Sequence, residues 1–452
     1  MGNESLGSML FKNYDDLVLN GSTPILQQKR KDILDMLAAA IAAVEPSRVV
    51  KELFHGSQMV FPAETIDLSS FDHLFLVGFG KASVGMAQAV CDAVTVTKGV
   101  VITNDPSAKI THDYIEVIVG GHPLPNIESI RGADKILGLL GSCGEDDVVI
   151  VVISGGGSSL FCKPRIPLID LQETVNLLLR SGATIDEINT IRKHLSLVKG
   201  GQLAQQTKAV VLSLIISDVV LDPISSIASG PTAPDPTTYS DAKEILTRYN
   251  LWSAVSAAVR SLIEEGIAGD IPETVKENDP IFDKIFNFIV ANNEHACQGA
   301  LTKALELGYD AKLITSSMTG EARILGRYLI SRVKTSLSQG SAAFITGGEP
   351  TVKLRGVGTG GRNQELVLSS VKEIAGTDMV IASFATDGID GNSKAAGALA
   401  DGFTSVRALK KNLHISSFLG ENNSYVFFDG LGDALFTGPT GTNVMDIQII
   451  LQ

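Results

Sequence analysis

The sequence predicts an α/β fold in two domains, an N-terminal Rossmann-like three-layer sandwich followed by a second α/β domain. Three observations predict it. Short continuous apolar runs, Val148–Ile153 and Val210–Ile216 among them, read as strands buried on both faces of a parallel sheet. These runs alternate with stretches of helical periodicity. The 452 residues, 44% apolar and only 19% charged, exceed one core at ~100–200 residues per domain.

Each element follows in order. Residues 1–30 read as an N-terminal arm. A helix comes next, in which Ile33, Met36, Leu37, Ala40, Ile41 and Val44 recur at three- and four-residue spacing until Pro46 stops the pattern. Residues 73–77 form a strand, then a glycine turn leads into a helix over 83–93. Strands at 100–103 and 115–119, a helix at 127–140 and a strand at 148–153 continue the alternation. Helices at 168–180 and 185–195 precede the strand at 210–216. Residues 241–249 and 254–265 are helical, and the chain then turns polar through Pro272 and Pro280. The predicted boundary falls there, giving domains 31–280 and 281–452. The second domain alternates strand 285–290, helix 294–307, strand 311–314, helix 321–336, strand 342–345, helix 364–374 and strand 379–385.

Composition narrows the function. Thirty-seven Lys and Arg against 50 Asp and Glu give a net charge of −13, which argues against nucleic acid or an anionic membrane as partner. Cys91, Cys143, Cys162 and Cys297 lie far apart with no C-x-x-C pair, as expected of reduced thiols in a cytoplasmic protein. No apolar run approaches the ~18 residues that span a bilayer. A soluble, cytoplasmic protein is the expectation.

The chemistry concentrates where strands end in Gly/Ser/Asp/Lys loops, the ligand-binding edge of α/β sheets. Gly78, Phe79, Gly80, Lys81, Ala82 and Ser83 join a strand to a helix. Glycine amides, a helix start and the Lys81 charge there suit an anion. The loop is not a Walker A motif, since Ala82 follows the lysine. A dinucleotide fingerprint would need glycine at Ser83, with Asp105 as its distal acid; a tight turn with a solvated lysine is the plain alternative. Ser154, Gly155, Gly156, Gly157, Ser158 and Ser159 follow the strand at 148–153 and suit phosphate or carboxylate. Asp218 ends the strand at 210–216, where a carboxylate can hold Mg²⁺, accept a proton or cap a helix.

Further along, Glu349 sits in the loop 346–351. Gly361, Arg362 and Asn363 open a helix, and Arg362 offers a planar charged fork for carboxylate or phosphate. Asp387 and Asp390 flank glycine after the strand at 379–385, fitting either a Mg²⁺ site or an Asx-type turn. His122 either contacts substrate or fixes the turn 120–125. His194 reads as a packed residue, while Arg192, Lys193 and Lys199 either line a cleft or are solvated. Cations, anion cradles and carboxylates without a Ser–His–acid set or a His cluster are the equipment of phosphoryl transfer.

In series, the segments GFGKAS, GGHPLP, ISGGGSSL, HLSLVKGGQLA, ISDV, SGPT, TGGEPTV, GTGGRNQE and ATDGIDG resemble the glycerate kinase type II family. Its C-terminal part is the MOFRL domain, and the resemblance runs from about residue 30 to the C-terminus. It implies ATP-dependent, Mg²⁺-assisted phosphorylation of D-glycerate to 2-phosphoglycerate, with 3-phosphoglycerate as the second candidate product. It also implies two α/β domains with the active site in a cleft between them, and a homodimer is a candidate assembly. By the resemblance, Lys81, Asp218 and Arg362 match polar active-site positions. Gly80, the loop from Ser154 to Ser159, His122, Lys199, Gly361 and Asn363 are candidate substrate or phosphate contacts. Asp218, Glu349, Asp387 and Asp390 are candidate metal ligands. The rival readings are a nicotinamide-dependent hydroxypyruvate or tartronate-semialdehyde reductase using Asp105, and a non-catalytic sugar-acid-binding protein.

Overall fold

The computed structural model describes residues 5–335 and 341–452. The chain divides into two compact units, one of residues 46–290 and one that combines residues 1–45 with 291–452.

In the 46–290 unit, six strands form one sheet: β1 (Leu74–Phe79), β2 (Lys98–Thr103), β3 (Ile115–Val119), β4 (Val148–Ile153), β5 (Val210–Ile216) and β6 (Ile285–Ala291). Their order is β3-β2-β1-β4-β5-β6. The β1–β2, β2–β3, β1–β4 and β4–β5 pairs are parallel. This is the doubly wound order whose strand sequence reverses beside β1, so the switch point lies between β1 and β4. All six residues of β4 are buried, which explains its unbroken VVIVVI run. A layer of helices Leu168–Ser181, Ile185–His194, Tyr239–Arg248 and Ala257–Ala268 carries its own core, including Leu178, Ile191, Leu246 and Ile263. A small antiparallel sheet of Phe54–His55, Gln58–Val60 and Thr65–Asp67 completes the unit.

The other unit holds β7 (Asp310–Glu321), β8 (Ala342–Thr351), β9 (Val380–Ala385), β10 (Gly397–Asp401), β11 (Ala434–Leu435) and β12 (Asp446–Leu451), in the order β7-β8-β12-β9-β10-β11. β7 and β8 run parallel, and β12 is antiparallel to both β8 and β9. The sheet is therefore mixed, with the last strand of the chain near its centre.

Two expectations give way here. Residues 5–30 are not an arm, and residues 1–4 lie outside the described set. A helix, α1 (Pro24–Ala43), begins within the expected arm, where the Thr23 hydroxyl accepts the Leu26 N–H at 3.2 Å and Pro24 supplies a preset first-turn φ. Its Arg30 is fully buried and bonds Asp401 at 2.7 Å, Asp433 at 2.9 Å and the Leu17 carbonyl at 2.7 Å. Arg407 closes on Asp433 at 2.6 Å. These buried charges bind the N-terminal segment to the C-terminal sheet, so the unit boundaries fall at 45/46 and 290/291 rather than at 30/31 and 280/281. The strand expected to open the second domain is β6, the edge of the first sheet, where Phe288 stacks on Phe61 with ring centroids 3.5 Å apart. The helix expected over 321–336 is α2 (Ala322–Thr335), and its expected last residue lies outside the described residues. Among the described residues, no helix is long and apolar enough to cross a membrane. The four cysteines are free and buried.

Candidate active site

The switch point brings together two of the predicted loops. After β1 the chain turns at Gly80, whose φ of +130° and close approach exclude a side chain: a Cβ there would lie 2.2 Å from Ser154 Oγ. The Lys81 N–H then donates to the Gly155 carbonyl at 2.9 Å, and the Ala82 N–H donates to Ser154 Oγ at 3.0 Å. Gly80 N–H donates to Ile102 O at 3.2 Å and Ser83 N–H to Gly80 O at 3.3 Å. Every amide from Gly80 to Ser83 thus has a protein acceptor. The expectation that this turn cradles an anion through its amides, Gly80 included, is corrected: the turn is fastened to its neighbours. Asp105 is likewise spent locally, accepting from the Ser107 N–H at 2.8 Å and hydroxyl at 2.7 Å.

The loop after β4 differs. Ser154 is consumed by Ala82, but the N–H groups of Gly155 and Gly156 have no acceptor among the described residues. Gly156 is left-handed at φ +83°, and a Cβ there would sit 2.9 Å from His122 Cδ2 and 3.4 Å from Lys81 Cγ. Lys81, His122 and the loop's open amides therefore share one small region. Partial burial, and then the Lys81 charge, lower the His122 pKa. Asp218 follows β5, the next strand in the sheet, and is half-buried at the same carboxyl edge.

A cavity of about 260 Å³ adjoins the loop, lined by His122, Gly156, Ser158, Ser159, Arg192 and Lys199, with Leu124, Pro125, Leu171, Gln172 and Val175 among its further walls. Lys199 is buried and donates from Nζ to the carbonyls of Ser158 at 2.7 Å and Phe161 at 3.1 Å. Burial lowers its pKa to about 8. Arg192 makes no hydrogen bond or ion pair with any described residue, and burial lowers its pKa as well. Lys193, by contrast, is a buried partner of Asp235 at 3.2 Å. His194 is fully buried between the Thr190 carbonyl at 2.8 Å and Glu273 at 3.1 Å, as its apolar setting suggested.

Sequence reasoning missed a connection beneath the loop. Ser158 Oγ lies 2.8 Å from Ser229 Oγ, which donates to Asn189 Oδ1 at 3.2 Å. Ser229 and Ala228 have φ of +64° and +51°, and Leu221 and Asp222 on the same connection have φ of +66° and +54°. Such backbone is costly for residues with side chains and collects at functional sites. Serines in a Gly/Pro-rich connection carry no local sign of this.

In the second unit, Arg362 opens α3 (Arg362–Ser370). Its Nε and Nη2 grip Asp446 at 2.5 and 3.1 Å, and its Nη1 reaches Glu349 at 2.7 Å. Asp446 is 84 residues away in sequence and was not foreseen. Burial raises the Asp446 pKa, with Arg362 pulling the other way. Asp390 and Asn363 are corrected from ligands to scaffolding. The Asp390 carboxylate accepts the backbone and side-chain N–H groups of both Asn363 and Gln364, at 2.8–3.3 Å, capping α3. Asn363 is fully buried, and its Oδ1 accepts from Ser383 at 2.5 Å. Gly361 lies against Asp390, where a Cβ would meet Oδ1 at 2.2 Å. Asp387 forms the Asx turn, accepting the Ile389 N–H at 3.1 Å. No group of three or more His, Cys, Asp or Glu side chains that could hold a metal ion occurs among the described residues.

A doubly wound sheet with open amides at its switch point, and an arginine without a partner among the described residues in the adjoining cavity, defines the class of α/β proteins that handle phosphate-bearing ligands. Comparison with known proteins narrows the class. The family model described as "Domain of unknown function (DUF4147)" matches residues 32–264, and the MOFRL family model matches residues 342–446. The chain is 41% identical over 426 residues to the glycerate 2-kinase of Pyrococcus horikoshii, covering 92% of this chain and 96% of that one. It is 36% identical over 431 residues to the D-glycerate 2-kinase of Thermotoga maritima, covering 93% and 97%. The crystal structure of a Thermotoga maritima glycerate kinase superposes with a TM-score of 0.83, covering 94% of this chain and 99% of that one. The chain belongs to the glycerate kinase type II family.

Proposed function

We propose that the protein transfers the γ-phosphoryl group of ATP to the 2-hydroxyl of D-glycerate, giving 2-phosphoglycerate and ADP. The observation that carries the reading is the pair of open amides at Gly155 and Gly156 beside Lys81, at the switch point of a chain 41% identical to a glycerate 2-kinase. In this reading a new bond forms between the glycerate O2 and the γ-phosphorus while the bond to the β-phosphate oxygen breaks. Lys81 and the two amides neutralise the group in flight, since phosphoryl transfer depends on positioning and charge stabilisation. Asp218 orients the hydroxyl and takes its proton. Within the other unit, Arg362 spends three of its five N–H donors on Asp446 and Glu349.

Mg²⁺ accords with this donor set. It commonly takes one or two carboxylates with waters and substrate phosphates rather than an all-protein cage. The alternative role for Asp218, in place of proton acceptor, is to meet this ion, which would neutralise charge on the phosphates. The reductase reading loses support because the amides from Gly80 to Ser83, where a dinucleotide pyrophosphate would sit, are all spent.

A ³¹P NMR spectrum of the protein with D-glycerate and ATP, with and without Mg²⁺, tests the proposal. A metal-dependent 2-phosphoglycerate resonance is the expected result. A 3-phosphoglycerate resonance would overturn the assigned regiochemistry, and no phosphorylated acid would overturn the kinase.

A further inference from the structure

The cavity beside the Ser154–Ser159 turn has features that a three-carbon acid does not use. Glycerate carries oxygen on every carbon and has no apolar face. Leu124, Pro125, Leu171 and Val175 nevertheless give the cavity apolar walls, two of them from one face of the helix Leu168–Ser181. The same cavity holds Arg192, a cation with no partner among the described residues. A half-buried guanidinium without an anion is expensive to keep unless a ligand supplies the charge. The turn residues Gly156, Ser158 and Ser159 line the cavity directly, so it continues from the open amides without a break. An apolar chamber with a few converging polar groups is the usual form of a small-molecule site.

We propose that this cavity seats the purine nucleoside of the phosphoryl donor, with the base against Leu171, Val175 and Pro125 and with Arg192 on the nucleotide phosphates. Gln172 adds a selectivity. Its amide nitrogen donates to the Pro125 carbonyl at 2.7 Å, which leaves its carbonyl oxygen to accept from a ligand. An acceptor suits the 6-amino group of adenine and opposes the 6-oxo group of guanine, so adenine nucleotides are preferred. A site built for a hydrogen bond rejects the analogue that cannot make it. The inference rests on the kinase reading for the identity of its ligand.

Isothermal titration of the full chain with ADP and with GDP, in the presence of Mg²⁺, tests it without requiring turnover. ADP is expected to bind more tightly than GDP. Arg192→Met is expected to weaken ADP at least tenfold, and Gln172→Leu to erase the ADP–GDP difference. Leu124→Ala, which truncates an exposed wall residue and spares the fold, is expected to weaken both nucleotides. In steady-state assays the three variants should raise KM for ATP and leave KM for glycerate within twofold. Unchanged ADP affinity in all three, or a rise confined to KM for glycerate, overturns the assignment. If glycerate is not phosphorylated but ADP binding still falls in Arg192→Met and Leu124→Ala, the acceptor reading fails and the nucleotide cavity stands.

Discussion

At the scale of single residues, the site is held by groups whose job is to fix others. Lys199 spends its ammonium on the Ser158 and Phe161 carbonyls, so it shapes the turn that carries the open amides. Burial lowers its pKa from the ordinary 10.5 to about 8, which makes stability depend on alkaline pH. Between those values the unfolded chain binds the proton and the folded chain does not. Stability therefore rises with pH across that window, and below 8 both states hold the proton and the dependence vanishes. Denaturant midpoints at pH 7.5 and 10.5 should show the wild type gaining on the order of 3 kcal/mol relative to Lys199→Met. Equal pH slopes in the two proteins would mean that Lys199 titrates normally. The Lys81 side chain runs beside Gly156. Lys81→Ala should lower kcat by a factor of 10² or more, roughly 3 kcal/mol, with an unchanged thermal midpoint. Near-normal turnover would remove Lys81 from the reaction.

At the scale of elements, α1 shows how a helix is assigned to its unit by one buried side chain. Arg30 faces Asp401 and Asp433, and Arg407 shares both acids, at 2.6 Å from Asp433 and 3.8 Å from Asp401. Arg30→Met leaves Arg407 as the remaining cation for two fully buried carboxylates. Removal of one partner from such a network costs about 3–5 kcal/mol, so urea unfolding of the variant should shift by that amount. A change below 1 kcal/mol would mean that the pair contributes nothing net. Elements defined by local pattern were legible in the sequence: β3, β4 and β5 span the residues expected of them, 115–119, 148–153 and 210–216. The Arg30 network was not, because its members are 371 and 403 residues apart. Nor was β10, whose Gly–Ala–Leu–Ala–Asp sequence lacks a strand's usual bulk and pairs through Gly397, where a Cβ would lie 1.9 Å from Ser383 O. The site divides in the same way. Its loops were visible as Gly/Ser clusters at strand ends, whereas the spent amides of one loop and the open amides of the other depend on pairing across the sheet.

At the scale of the whole molecule, the order of the chain and the order of its units disagree. The 46–290 unit is continuous and contains every strand of its sheet but the last residue of β6. The other unit is assembled from both ends of the chain, and its sheet is completed by β12, which lies between β8 and β9. Gly299, on the helix Asn293–Glu306, lets α1 approach so closely that a Cβ there would lie 2.6 Å from the Ala43 Cβ. A fragment of residues 46–290 keeps its cores and switch-point loops, and should unfold in one cooperative transition when followed by circular dichroism. A fragment of residues 291–452 loses α1 and exposes the apolar surface that Ile33, Leu37 and Ile41 cover, along with Asp401 and Asp433 stripped of Arg30. It should be insoluble or molten alone and gain a cooperative transition when residues 1–45 are supplied as a separate peptide. Cooperative folding of 291–452 without that peptide would show that the N-terminal helix is an accessory to the unit and not part of its core.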